Sequence, residues 1–274
     1  MAGILDGMKV GFLGAGVMAE AMLRGLSGSG AVLLASDPDP SRRALVESEC
    51  GTRALADNRA LVAEAMLVVL AVKPQAAPAV LAEIGPHLQP DQTLLSIVAG
   101  LRLAVIAAAI PAEIGLIRAM PNAPALIGAG ITGVALAGRG MAGEELARAI
   151  LAPLGRVVIL PENLLDAVTG LSGSGPAYVA LFAEALIEAG VKVGLSRQVA
   201  TELAVQTLLG SAQLLAKGEP PVSLRERVTS PGGTTAFGLH ALERGGLRAA
   251  VIEAVTAATE RATALGGQNR GENK

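Results

Sequence analysis

The feature that most constrains this chain is Gly14-Ala15-Gly16-Val17-Met18-Ala19, a GxGxxA loop that follows the aliphatic run Lys9–Leu13 and precedes a helical pattern. A strand, a glycine loop and a helix in that order open a βαβ unit. The first glycine makes the tight turn, the second lets the backbone approach a pyrophosphate, and the helix N-terminus offers unpaired N–H groups to it. The glycine spacing alone is a weak signal; its place between strand and helix gives it weight. It predicts a dinucleotide site formed by Gly14, Ala15, Gly16, Val17 and Met18.

The rest of the chain supports two parts, as its 274 residues suggest when a domain takes about 150. From Lys9 to about Leu160, short aliphatic runs alternate with helical patterns, the signature of repeated βαβ units and a mainly parallel sheet. Candidate strands are Lys9–Leu13, Val32–Ser36, Leu67–Leu70, 94–97, 115–118 and 131–136. Asp39-Pro40 reads as a helix N-cap with proline at the first helical position, and Pro74 closes a strand. Beyond Leu160 the pattern is helical, over 176–189, 196–216, Thr234–Arg244 and 247–265, with Gly190 as a helix stop and Ser196 as an N-cap. The expected fold class is therefore α/β, a Rossmann-type mainly parallel sheet in residues 1–160, followed by an all-α domain in 161–274.

Composition narrows the function. The chain is 51% hydrophobic with positive mean hydropathy, so a membrane span has to be tested for. The uncharged stretch between Arg118 and Arg139 is broken by Pro121, Pro124 and glycines, and that between Asp166 and Glu184 by Gly170, Gly173, Gly175 and Pro176. Neither suits a spanning helix, which needs about 20 apolar residues without such breakers. The first residues lack a basic segment and an apolar core, so a cytoplasmic protein with no membrane partner is expected. One cysteine (Cys50) and two distant histidines (His87, His240) give no disulfide framework and no expected metal site. A net charge of -2 without a basic cluster argues against nucleic acid and for a small-molecule substrate. Ala and Leu on more than one face of the C-terminal helices imply burial against a second subunit.

Further motifs fall at element ends. Ser36-Asp37 closes the second strand about twenty residues on, where an acid accepts hydrogen bonds from the adenosine ribose and favours NAD, while Arg42-Arg43 just downstream could instead pair with the 2′-phosphate of NADP. NADH and NADPH both stay open. Ala71-Val72-Lys73-Pro74 ends a strand at the ligand-binding edge, although position alone does not separate Lys73 from a solvated turn residue. Arg118-Ala119-Met120-Pro121-Asn122 reads equally as a proline-terminated strand, and Gly170 to Tyr178 as a place of close helix packing. The segment Val228-Thr229-Ser230-Pro231-Gly232-Gly233-Thr234-Thr235 puts glycines and hydroxyls at a helix mouth, which suits a carboxylate.

Together the glycine loop Gly14 to Ala19, Ala71-Val72-Lys73-Pro74, Arg118-Ala119-Met120-Pro121-Asn122, Gly170 to Tyr178 and Val228 to Thr235, in order along nearly the whole chain, resemble the pyrroline-5-carboxylate reductases. The resemblance implies reduction of 1-pyrroline-5-carboxylate to L-proline by NADPH or NADH. It implies a helical dimerisation domain, hence a homodimer that can assemble further into a decamer. It also implies that Gly14, Gly16, Ser36, Asn58, Ala71, Val72, Lys73, Ile97, Val98 and Ala99 line the cofactor, with Ala15, Val17, Met18, Asp37 and Pro74 alongside. Ser230, Gly233, Thr234 and Thr235 would receive the substrate, with Glu162 and Arg227 nearby and with Thr235 and Ser230 as catalytic candidates. Three departures stand out: Val17 where the family commonly has Asn, Asp37-Pro38 for a frequent Asn-Arg, and Glu226 for a frequent Asp. The β-hydroxyacid dehydrogenases resemble the N-terminus as well, but Val179 and Phe182 occupy the positions of their catalytic Lys and Asn, and apolar groups cannot move the hydroxyl proton. A dinucleotide sensor without turnover would have no need of the Ser230–Thr235 cradle.

Overall fold

The structure, a computed structural model, describes residues 3–111, 113–137 and 143–268. Among the described residues an eight-stranded sheet runs in the order β3-β2-β1-β4-β5-β6-β7-β8. Its first six members are β1 (Lys9–Leu13), β2 (Val32–Ser36), β3 (Arg53–Leu55), β4 (Leu67–Leu70), β5 (Thr93–Ser96) and β6 (Gly115–Met120), and all their pairings are parallel. β7 (Gly130–Ala137) then runs antiparallel to β6, and β8 (Gly155–Ile159) parallel to β7. The connecting helices are α1 (Val17–Leu26), α2 (Pro40–Cys50), α3 (Asn58–Glu64), α4 (Ala77–Ile84), α5 (Leu103–Ala109) and α6 (Glu144–Leu151).

Central strands of a parallel sheet are covered on both faces and read as continuous apolar runs. β4, Leu-Val-Val-Leu, is fully buried along its length. Val10 and Phe12 of β1 pack into a cluster with Met22 and Leu23 of α1, whereas Leu13 joins one with Leu61 of α3 and Leu81 of α4. Asp39 caps α2 by accepting from Ser41 N at 2.8 Å, with Pro40 as the first helical residue.

After β8 the chain is helical: α7 (Leu165–Val168), a wide turn over Thr169–Gly173, α8 (Gly175–Lys192), α9 (Arg197–Ala216), α10 (Pro221–Arg227), α11 (Thr234–Arg244) and α12 (Leu247–Gln268). The fold class is the expected one. Two compact units emerge, Met1–Ser174 with Ala257–Lys274, and Gly175–Thr256. The end of α12 belongs to the first unit, where Thr263 Oγ1 donates to Asp166 at 3.1 Å. Among the described residues no helix is long and apolar enough to cross a membrane.

Three elements escape the sequence pattern. β3 has only three residues and starts on Arg53, and β8 is an edge strand whose residues alternate between half-buried and exposed. α10 begins directly at Pro220-Pro221, punctuation that hides a helix of seven residues. One expectation is corrected: Gly190 does not stop α8, which continues to Lys192. It gives close packing instead, since a Cβ there would lie 2.9 Å from Ala200 Cβ on α9. The reversal falls at Gly194, with φ +105°, and Ser196 then caps α9 by accepting from Val199 N at 3.3 Å.

Candidate functional site

In the first unit the candidate cofactor residues gather at the carboxyl edge of the sheet. Gly14 to Met18 follow β1, Ser36 and Asp37 end β2, Asn58 opens α3, Ala71 to Pro74 follow β4, and Ile97 to Ala99 follow β5. Strand order reverses between β1 and β4, where a crevice outside the strand ends takes ligands in open α/β sheets. Gly14 is required there: its φ is +93°, and a Cβ would come within 2.8 Å of Ala71 O. Gly16 is the N-cap of α1, no side chain caps that helix, and a Cβ on Gly16 would meet nothing within 4 Å. Its first-turn N–H groups therefore face open space at the positive end of the helix, which fits a pyrophosphate.

Backbone and side-chain bonds fix this edge. Gly14 N donates to Ser36 O at 2.8 Å and Ala71 N to Leu13 O at 2.8 Å. Ser36 is buried and its hydroxyl donates to Asn58 Oδ1 at 2.7 Å, while Asn58 Nδ2 donates to Glu83 at 2.9 Å. The Asp37 carboxylate accepts from Ala15 N at 2.8 Å and from Asp39 N at 2.9 Å, so it stands against the glycine loop itself. Lys73 and Pro74 are exposed on the loop after β4, Ala71 and Val72 are half-buried, and Val98 N is held by Ser96 Oγ at 3.2 Å.

Two arginines act here in a way the sequence did not reveal. Arg42 Nε donates to Ala15 O at 2.7 Å and its Nη2 pairs with Glu20 at 2.8 Å. Glu20 also pairs with Arg24, one helical turn on, at 3.0 Å. The Arg42 guanidinium chiefly, with Arg24 beside it, holds the Glu20 carboxyl below its ordinary range. Arg43 Nη1 donates to the carbonyls of Asp37 at 2.7 Å and Pro38 at 3.1 Å. The i, i+4 spacing of Glu20 and Arg24 is legible in sequence; the Arg42 link, across 22 residues, is not.

Glu162 follows β8 at the start of a short turn and accepts from Leu103 N at 2.7 Å and from buried Arg118 at 2.9 Å. Arg118 also faces Asp166 at 3.6 Å, which in turn lies 3.8 Å from Arg102. The sequence left Arg118 as a strand-end residue; it is the buried centre of an ionic cluster joining β6, α5 and α7. Asn122, just beyond β6, accepts from Ile131 N at 3.0 Å and donates to Ser172 O at 3.2 Å.

In the second unit, Val228 to Gly233 lead from α10 into α11. Gly232 takes φ +68°, and a Cβ on Gly233 would strike the Ser230 hydroxyl. Gly233 N donates to Ser230 O at 3.0 Å, closing a turn that sets Gly233 as the N-cap of α11. No side chain caps α11, so Thr234 and Thr235 present first-turn amides beside their hydroxyls. Thr229 Oγ1 is turned back onto Arg225 O at 2.6 Å, and Arg227 pairs with Glu219 at 2.9 Å. An uncapped helix start with hydroxyls suits a small carboxylate. Among the described residues no group of three or more His, Cys, Asp or Glu is arranged to hold a metal.

A Rossmann-type sheet with a glycine loop after β1 and an acid at the end of β2, joined to a helical unit whose α11 starts without a side-chain cap, defines a nicotinamide-dependent oxidoreductase. Residues 162–265 match the family described as pyrroline-5-carboxylate reductase dimerisation, and residues 9–100 match NADP oxidoreductase coenzyme F420-dependent. A pyrroline-5-carboxylate reductase of Synechocystis is 43% identical over 266 residues, 94% of this chain and 98% of the relative. The solved structure of a pyrroline-5-carboxylate reductase from Coxiella burnetii superposes with a TM-score of 0.89 at 34% identity, covering 95% of this chain and 99% of that one. Plasmodium falciparum pyrroline carboxylate reductase with NADP bound gives 0.85 at 33% identity, over 96% and 99%. The chain belongs to the pyrroline-5-carboxylate reductase family.

Proposed function

We propose that the chain reduces 1-pyrroline-5-carboxylate to L-proline with NADH or NADPH, the last step of proline biosynthesis. The observation that carries this reading is the union, in one chain of this family, of a dinucleotide edge with the uncapped α11 cradle behind Ser230 and Gly232. The chemistry the cofactor supplies when bound is a hydride for the C=N carbon.

The chain's residues bind and orient. Gly14 to Met18 hold the pyrophosphate on the N–H groups of α1, Ser36, Asp37 and Asn58 take the adenosine end, and Ala71 to Pro74 with Ile97 to Ala99 line the rest of the dinucleotide. The amides of Thr234 and Thr235 hold the substrate carboxylate, with Gly233 and Ser230 shaping the turn beside them. The Thr235 hydroxyl hydrogen-bonds the ring nitrogen. Arg227, oriented by its ion pair to Glu219, completes the set on this segment, and Glu162 is held in the first unit by Arg118. A cyclic imine is basic enough to take its proton from water near neutrality, and the iminium so formed is the better hydride acceptor, so no strong protein acid is needed and Thr235 has only to orient it. Positioning is then the main catalytic contribution. An alcohol dehydrogenase would need an acid–base group where α8 carries Val179 and Phe182.

The enzyme is a homo-oligomer. The finer reading is a homodimer built through residues 161–274, assembling further into a decamer, in the cytoplasm. The apolar side chains left exposed in the second unit, Leu181, Val193, Phe237 and Ile252 among them, support such an interface.

Steady-state kinetics on 1-pyrroline-5-carboxylate test the cradle. Thr235→Ala should lower kcat/KM by roughly 1–3 kcal/mol of transition-state stabilisation, the scale of a hydrogen bond to a charged group, with Thr235→Ser restoring most of it. Unchanged kcat/KM in Thr235→Ala would remove the residue from the mechanism.

A further inference from the structure

We infer that Asp37 makes this enzyme select NADH over NADPH, because its carboxylate is fixed where a 2′-phosphate would have to sit and Arg42 is already paired with Glu20. The inference rests on the cofactor site proposed above. Two backbone N–H groups, of Ala15 at 2.8 Å and Asp39 at 2.9 Å, hold the two oxygens of Asp37. The carboxylate cannot swing away without abandoning both. It lies against the loop that receives the pyrophosphate, at the end of β2, where an acid meets the adenosine ribose hydroxyls.

A ribose hydroxyl can donate to such a carboxylate, but a 2′-phosphate can only repel it. Accommodating the phosphate takes an arginine with donors to spare. Arg42 lies with Nε on Ala15 O and Nη2 on Glu20, so its charge is matched and its fork is turned to the glycine loop. Arg43 directs Nη1 to the carbonyls of Asp37 and Pro38, bracing the turn that carries the acid. Asp39 adds a second carboxylate, fixed by Ser41 N at 2.8 Å and Ser41 Oγ at 2.6 Å. Arg42 is thus committed to Glu20 and the glycine loop, and Arg43 braces the turn that carries the acid through Nη1.

Isothermal titration with NAD+ and NADP+ tests this without turnover. The wild type is expected to bind NAD+ at least about tenfold tighter, because like charges brought together at a binding site cost that much or more. Asp37→Asn keeps an acceptor for the Ala15 amide and removes the charge, so it should narrow the ratio by about tenfold, mainly by tightening NADP+. Should that variant fail to fold, competition on the wild type decides: 5′-AMP is expected to displace NAD+ at lower concentration than adenosine 2′,5′-bisphosphate. NADP+ binding as tight as NAD+, an unchanged ratio in folded Asp37→Asn, or a bisphosphate that competes as well as 5′-AMP would each overturn the selection. Binding of neither dinucleotide by folded protein would overturn the cofactor site itself.

Discussion

Glu20 sits on the first turn of α1 with its side chain 19% exposed, bound to Arg42 and Arg24. Through Arg42 it reaches the Ala15 carbonyl, so one carboxylate steadies the glycine loop after β1. Its depressed pKa has a definite sign: the stabilisation is complete above the unfolded value and is lost as pH falls through the lower folded one. The difference in urea midpoint between wild type and Glu20→Gln should therefore be constant above about pH 5 and shrink as pH drops below the ordinary glutamate value of 4.5. A difference unaffected by acid would mean that the pairing adds nothing to stability. Cys50 behaves differently: it is 4% exposed, burial pushes its thiol up, and a packing role follows.

Elements are held to one another by a few buried polar groups, and Arg118 is the clearest. At 5% exposure it joins β6 to Glu162 and Asp166, and Glu162 in turn accepts the first helical amide of α5, that of Leu103. Removing the cation would leave Glu162 with only the Leu103 amide, and Asp166 with Arg102 at 3.8 Å and the Thr263 hydroxyl, both carboxylates being partly solvated. Arg118→Met should thus cost about 3 kcal/mol in urea unfolding, the low end for breaking a buried pair; a cost under about 1 kcal/mol would mean that water replaces the arginine. This cluster also marks how far the sequence could be read. β1, β2 and β4 were legible residue for residue because apolar runs between turn signals suffice for buried parallel strands. β3 and β8 were not, being short or half-exposed edge strands supported by neighbours rather than by pattern. The glycine loop, Asp37 and the Ser230–Thr235 segment were visible as local motifs. The pairing of Arg118 with Glu162, across 44 residues, and of Arg42 with Glu20 exists only once the chain has folded.

For the whole molecule, the division of labour is between a sheet unit with a dense aliphatic core and a helical unit that keeps large apolar side chains exposed, with Val193 at 79% and Phe237 at 74%. Such surface is characteristic of an interface. Light scattering should give at least twice the chain mass, with a thermal midpoint that rises with protein concentration; a lone chain at all concentrations would contradict this. The central claim, hydride transfer from the nicotinamide to a cyclic imine carbon, is tested most directly by isotope. The purified protein is given 1-pyrroline-5-carboxylate and NADH carrying deuterium at the transferable C4 position, and the product is analysed by mass spectrometry. The account predicts L-proline bearing one deuterium at C5. Folded protein that binds the dinucleotide yet forms no proline, or proline without the label, would contradict it.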